Sequence, residues 1–110
     1  MEIIEDKKGD VVALALTGRL DSSTSKTFED KILAKIGSGD RRFVIDLAQL
    51  EYVSSAGLRV FLLAAKRLSN SNGKIVLCTL NDNIRQVFDT AGFSSIVSIY
   101  ASRGEALKSL

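Results

Sequence analysis

Apolar runs of strand length alternate with segments of helical period along the whole chain, and this alternation confines the fold to the α/β class. Residues 11–16 (VVALAL) form the first such run, closed by Thr17-Gly18. Gly9-Asp10 ahead of it is a turn signal, so residues 2–6 pair with the run as the edge strand of a hairpin. Asp21-Ser22-Ser23-Thr24 has the side chains that cap free helix N–H groups, and Phe28, Ile32, Leu33 and Ile36 follow at helical spacing. Lys31 and Lys35 occupy another face of that helix, and Gly37-Ser38-Gly39 stops it.

The second half repeats the alternation. Residues 43–47 (FVIDL) read as a strand. Leu58, Phe61, Leu62, Ala65 and Leu68 recur at i, i+3, i+4, i+7 and i+10 and mark an amphipathic helix, followed by the loop 69–73 (SNSNG). Residues 74–79 (KIVLCT) form another strand, and Asn81-Asp82-Asn83 caps a helix with Ile84, Val87, Phe88 and Ala91 on its apolar side, ended by Gly92. Residues 96–100 give the last strand, and Ser102 with Glu105 has the spacing of a capping box for a short final helix. The order is β-β-α-β-α-β-α-β-α: a mainly parallel central sheet of about five strands with four helices. At 110 residues this is one domain spanning 1–110.

Several kinds of chemistry are absent from the composition. There is no histidine, which removes Ser-His-Asp and Cys-His catalysis and the commonest metal ligand. One cysteine, Cys78, permits neither an internal disulfide nor a cysteine zinc cluster, and its place inside an apolar strand marks it as a small buried hydrophobe. Fifteen basic residues against 13 acidic give a net charge of +2, far from the basic footprint of a nucleic-acid binder. No apolar run approaches the roughly 18 residues of a membrane span. The acidic start 1–6 (MEIIED) is unlike a signal peptide, so a reducing cytoplasmic setting without membrane insertion is expected. Neither G-x-x-x-x-G-K-[ST] nor G-x-G-x-x-G occurs, and Gly37-x-Gly39 closes a helix instead of opening one. Asp46 ends a strand as a phospho-acceptor aspartate would, but the first apolar strand ends in Thr17-Gly18-Arg19, without the carboxylates that would hold a divalent cation. Asp46 is therefore assigned a structural role in the loop before Leu50. No catalytic residue, metal or cofactor is expected.

One block remains, residues 52–59: Tyr52-Val53-Ser54-Ser55-Ala56-Gly57-Leu58-Arg59. Two hydroxyls and a glycine stand where a strand turns into an amphipathic helix. In one reading Ser54 or Ser55 caps the helix and Gly57 permits close packing. In the other a serine is a phosphorylation site. A phosphate brings about −1.5 to −2 charges, and a helix N-terminus is where such an anion is best tolerated.

This block, with Asp46-Leu47 and Leu50 before it, resembles the signature of STAS domains, and more narrowly that of bacterial anti-sigma factor antagonists. Residues 17–21 (TGRLD) resemble the family's Gly-x-hydrophobic-Asp segment, and residues 75–78 and 84–92 its later strand and helix, so the resemblance covers nearly the whole chain. It implies the STAS fold and a partner switch. The unmodified antagonist would bind an anti-sigma factor that is a serine kinase of the histidine-kinase-like ATPase type and so release a sigma factor. Phosphorylation would break the complex, and a PP2C-type phosphatase would restore it. The family's acceptor serine falls on Ser55, and its aspartate position holds Ser54, a competing hydroxyl. Arg59, one helical turn after Ser55, could approach a phosphate there or meet an acidic partner, or be an ordinary solvated charge. Asp21 is expected beside the serine, because both follow C-terminal strand ends, or as the cap of the first helix. The implied partner surface is Asp21, Ser54, Ser55, Ala56, Gly57, Leu58 and Arg59 on a protein monomeric when free. The resemblance also admits an alternative: a STAS subunit of a lipid-transport ABC transporter, bound constitutively to the ATPase subunit without phosphorylation.

Overall fold

The strand-length runs lie side by side in one five-stranded sheet whose spatial order is the chain order, β1-β2-β3-β4-β5, in a computed structural model that describes residues 1–110. The strands are β1 (Glu2–Lys8), β2 (Val11–Leu20), β3 (Arg42–Val53), β4 (Lys74–Cys78) and β5 (Ser98–Tyr100). The helices are α1 (Ser25–Gly37), α2 (Ser55–Ser69), α3 (Asp82–Thr90) and α4 (Arg103–Lys108), with a 3-10 turn at Phe93–Ser95. The first two strands form the antiparallel hairpin and all later neighbours are parallel, as the alternation of elements requires.

Stepping steadily in one direction across a parallel sheet places the crossover helices on one face. Accordingly α1, α2 and α3 bury Phe28, Ile32, Phe61, Leu68, Ile84 and Phe88 against Leu14, Leu16, Phe43, Ile45 and Leu77 of the sheet. A file of aromatic rings ties the three helices together. Phe28–Phe61, Phe61–Phe88 and Phe88–Phe93 have centroid separations of 5.1, 5.3 and 5.4 Å in tilted or edge-on contact. The opposite face carries smaller side chains, Val11, Ala13, Val44, Val76 and Cys78, and packs against Ala106 of α4.

Besides β2, which runs past Leu16 and through Thr17-Gly18 to Leu20, four details differ from the sequence reading. First, β3 does not end after Leu47. It runs to Val53 because two bulges, opposite 15–17 and 18–19 of β2, absorb an extra residue each. Asp46 therefore lies within the strand and not in a loop, paired with Ala15 and Cys78. Its Oδ1 accepts from the Ala48 N–H at 3.0 Å, an amide freed by the first bulge, and its Oδ2 accepts from Arg103 Nε at 3.1 Å. Second, the buried stripe of α2 is Gly57, Val60, Phe61, Ala64 and Leu68, while Leu58, Leu62 and Ala65 sit half-buried on its flank. Third, Ile84 and Phe88 of α3 are buried, but Val87 and Ala91 are exposed. Fourth, β5 begins only at Ser98, and Ile96 before it is exposed.

Candidate functional site

The block 52–59 sits at the C-terminal edge of the sheet, where β2 and β3 end together. Leu20 is paired with Val53, and the Ser54 N–H donates to the Leu20 carbonyl at 2.9 Å. Ligand crevices of open parallel sheets lie outside this edge.

The two serines have different jobs. Ser54 has extended backbone and is the N-cap of α2: its Oγ accepts from the Gly57 N–H at 3.3 Å, and its carbonyl accepts from the Leu58 N–H at 2.9 Å. It is half-buried. Ser55 is the first residue of the helix, exposed, with no hydrogen bond to its hydroxyl inside the fold. The expectation that one serine caps the helix therefore falls on Ser54, which leaves the Ser55 Oγ free toward solvent at a helix N-terminus. No histidine, lysine or carboxylate is hydrogen-bonded to it, so the site offers an unactivated hydroxyl that another protein's chemistry would have to use.

Gly57 fixes how closely this end of α2 approaches the sheet. A Cβ at this position would lie 2.8 Å from Leu20 Cγ and 3.0 Å from the Leu20 carbonyl oxygen. Only glycine lets the helix start this near β2. Ala56 and Leu58 flank it, each half-buried, and Arg59 is exposed and joins no ion pair.

Asp21 follows the end of β2, beside the end of β3 that leads into Ser54. Its role in α1 is different from the one read in the sequence. The N-cap of α1 is Thr24, with no side-chain cap, and the helix begins at Ser25. Asp21 instead builds the turn before it. Its Oδ1 accepts from Ser23 Oγ at 2.7 Å and from the N–H groups of Ser23 and Thr24 at 3.0 and 3.2 Å. The hydroxyl of Ser23, then its N–H, and then Thr24 hold the Asp21 carboxyl below the usual aspartate range.

The strand register adds two residues to which the sequence assigned no role. Arg19 stands opposite Tyr52, and its guanidinium lies 4.3 Å over the half-exposed Tyr52 ring while its Nε is 3.8 Å from Asp21 Oδ2. Arg19, Tyr52 and Asp21 thus form one cluster at the ends of β2 and β3. The signal was available only through the second bulge, without which Arg19 would not face Tyr52. Cys78 is fully buried, and burial pushes its thiol pKa up.

The comparisons with known proteins agree with this architecture. The STAS domain family matches residues 2–106. A candidate anti-sigma factor antagonist named BtrV, from Bordetella bronchiseptica, is 41% identical over 106 residues, covering 96% of this chain and 91% of that protein. The crystal structure of a candidate anti-sigma factor antagonist from Thermotoga maritima superposes with a TM-score of 0.94 at 23% identity, over 97% of this chain and 92% of that one. The Bacillus cell fate determinant SpoIIAA in its phosphorylated form superposes with a TM-score of 0.78 at 21% identity, over 97% of each chain.

Proposed function

The chain belongs to the STAS domain family, and from that premise we propose that it is an anti-sigma factor antagonist switched by phosphorylation of Ser55. In its unmodified form it binds an anti-sigma factor that is a serine kinase of the histidine-kinase-like ATPase type. Phosphorylation of Ser55 ends the complex, and a PP2C-type phosphatase reverses it. The protein is a cytoplasmic regulator, not an enzyme, and a monomer when free. The anti-sigma reading is supported by the name of the Bordetella relative and its identity across nearly the whole chain.

The observation that carries the choice of serine is the division of labour at the α2 head. Ser54 spends its hydroxyl on the cap, and Ser55 presents a free, exposed one. A phosphate on Ser55 would meet the unpaired N–H groups of the first turn, so the fold tolerates the charge. The surface changes from neutral to about −1.5 to −2 with little change in shape, and that is the kind of event that breaks an interface without unfolding a domain. Gly57 and Leu20 hold the serine at a fixed height, and Asp21 at the neighbouring strand end joins Ala56, Leu58 and Arg59 in the surface the kinase reads.

The test is paired affinity capture from native cell lysate with wild type and Ser55→Asp as baits. A serine kinase retained by wild type and lost by Ser55→Asp is the expected result. A transport ATPase retained equally by both baits would replace this reading with that of a constitutive transporter subunit.

A further inference from the structure

Two shallow, mainly apolar depressions follow one another along α2 away from Ser55 and together make the line called the groove below. Ser55, Leu58 and Leu62 lie on one side of the helix at i, i+3 and i+7. Leu58 lines the first with Val87 and Ala91 and the polar Asn83, Gln86 and Thr90 of α3, and Leu62 and Ala65 line the second, one helical turn further on, with Ile96. The helices meet beneath the groove through the Phe61–Phe88 ring contact. Val87 and Ile96 are 37% and 52% exposed, two of the five large apolar side chains that the fold leaves outside.

The charges around this groove are one-sided. α2 carries Arg59, Lys66 and Arg67 and no acidic residue, and none of the three has an ion-pair partner within the chain. Arg59 and Lys66 are seven residues apart and so border the same edge. On the α3 side Arg85 and Asp89 neutralise each other at 3.4 Å, and Asp82 sits in the first turn, where it complements that helix's own free N–H groups.

We propose that this groove is the docking site for an amphipathic helix of the partner protein, with an apolar stripe against Leu58, Leu62, Val87 and Ile96 and acidic residues along the edge facing Arg59 and Lys66. The groove follows α2 from Leu58 to Ser69, about three turns or roughly 16 Å, so the partner helix needs about 11 residues in contact. This inference rests on the reading of Ser55 as the switch and supplies its mechanism. A phosphate at the head of the groove compensates Arg59 and repels the acidic edge of the docked helix, so the charge acts on a contact that extends well beyond the serine.

The test places a benzophenone cross-linking amino acid at Leu62 or Val87 of the full chain in its own cells, in wild-type and Ser55→Asp backgrounds, and sequences the attached peptide. Unchanged thermal melts confirm that each variant is folded. The expected result is one segment of one protein from both positions, with apolar residues at helical spacing and acidic residues on one edge. Its yield should fall at least ten-fold in Arg59→Glu/Lys66→Glu. A second copy of this chain, a segment without that pattern, scattered products or no product would overturn the docking site. The Ser55→Asp background separates the two readings. Lost cross-links join groove and switch, whereas cross-links kept at full yield leave the groove standing and remove Ser55 as its control.

Discussion

Replacing Gly57 with alanine should destabilise the protein, although alanine is the better helix former. The new Cβ would stand 2.8 Å from Leu20 Cγ, 3.0 Å from Leu20 Cδ2 and 3.0 Å from the Leu20 carbonyl oxygen. The leucine is fully buried, and its carbonyl already accepts from the Ser54 N–H at 2.9 Å, so neither side can give way without loss. Overpacking of this kind costs about 1–3 kcal/mol, and the gain in helix propensity returns up to about 1 kcal/mol. A net loss of about 1–2 kcal/mol is expected, or about 4–8 °C in Tm for a chain of this size. The control is Gly37→Ala, in the last turn of α1, where nothing lies within 4 Å of the added methyl. That change should stabilise by about 0.5–1 kcal/mol. Urea titrations of the two variants measure both signs, read from the midpoints at constant slope. Because the clash pushes the α2 head off β2, Gly57→Ala should also slow phosphorylation of Ser55, whereas Gly37→Ala should leave it unchanged. If Gly57→Ala were as stabilising as Gly37→Ala, the claim that close approach to Leu20 positions the serine would be wrong.

The two serines should separate cleanly in stability. Ser54→Ala loses the cap on Gly57 N–H and costs about 1 kcal/mol, whereas Ser55→Ala stays within about 0.5 kcal/mol of wild type and cannot be phosphorylated, as denaturation and intact mass after kinase treatment would show. Phe61→Ala removes the central ring of the aromatic file and should cost about 3–5 kcal/mol in the same titrations. Acid sensitivity should report Glu5, whose carboxyl is held below its usual value of 4.5 by Lys35 and then Lys31. With the folded pKa depressed, the contribution is present above that value and is lost as pH falls through the folded pKa, so Glu5→Gln should flatten the acid limb of a stability–pH curve. Thr79 is β-branched and has φ +62 at the end of β4, so Thr79→Gly should raise the urea midpoint, and a lowered midpoint would show the conformation to be unstrained.

The element order was legible because burial and period are local properties: a run such as 11–16 or a repeat such as Phe28, Ile32, Ile36 announces its own structure. What needed the three-dimensional fold was everything set by pairing. The two bulges of β3 depend on what β2 offers opposite, so the strand's true length and the placement of Asp46 inside it could not be read from 43–47 alone. The same register brings Arg19 to Tyr52. Asp21-Ser22-Ser23-Thr24 has the composition of a helix cap, yet the same side chains serve a turn equally well, and here Asp21 binds Ser23 and Thr24 ahead of the helix. Val87 and Ala91 fit the apolar period of α3 but lie outside, because α2 and α3 meet through Phe61 and Phe88 and leave their outer flanks apart. Within the site, the spacing placed a cap and a free hydroxyl at 54–55 but could not apportion them. The backbone does so, by making Ser54 the last extended residue and Ser55 the first helical one.

The central claim is that charge on Ser55 controls partner binding, and the most direct measurement is calorimetric titration of the partner kinase with two proteins, one unmodified and one carrying phosphoserine at position 55. The expected result is at least a 100-fold weaker Kd for the phosphorylated protein, with identical thermal melts for the two. Affinities within three-fold of each other would contradict the switch.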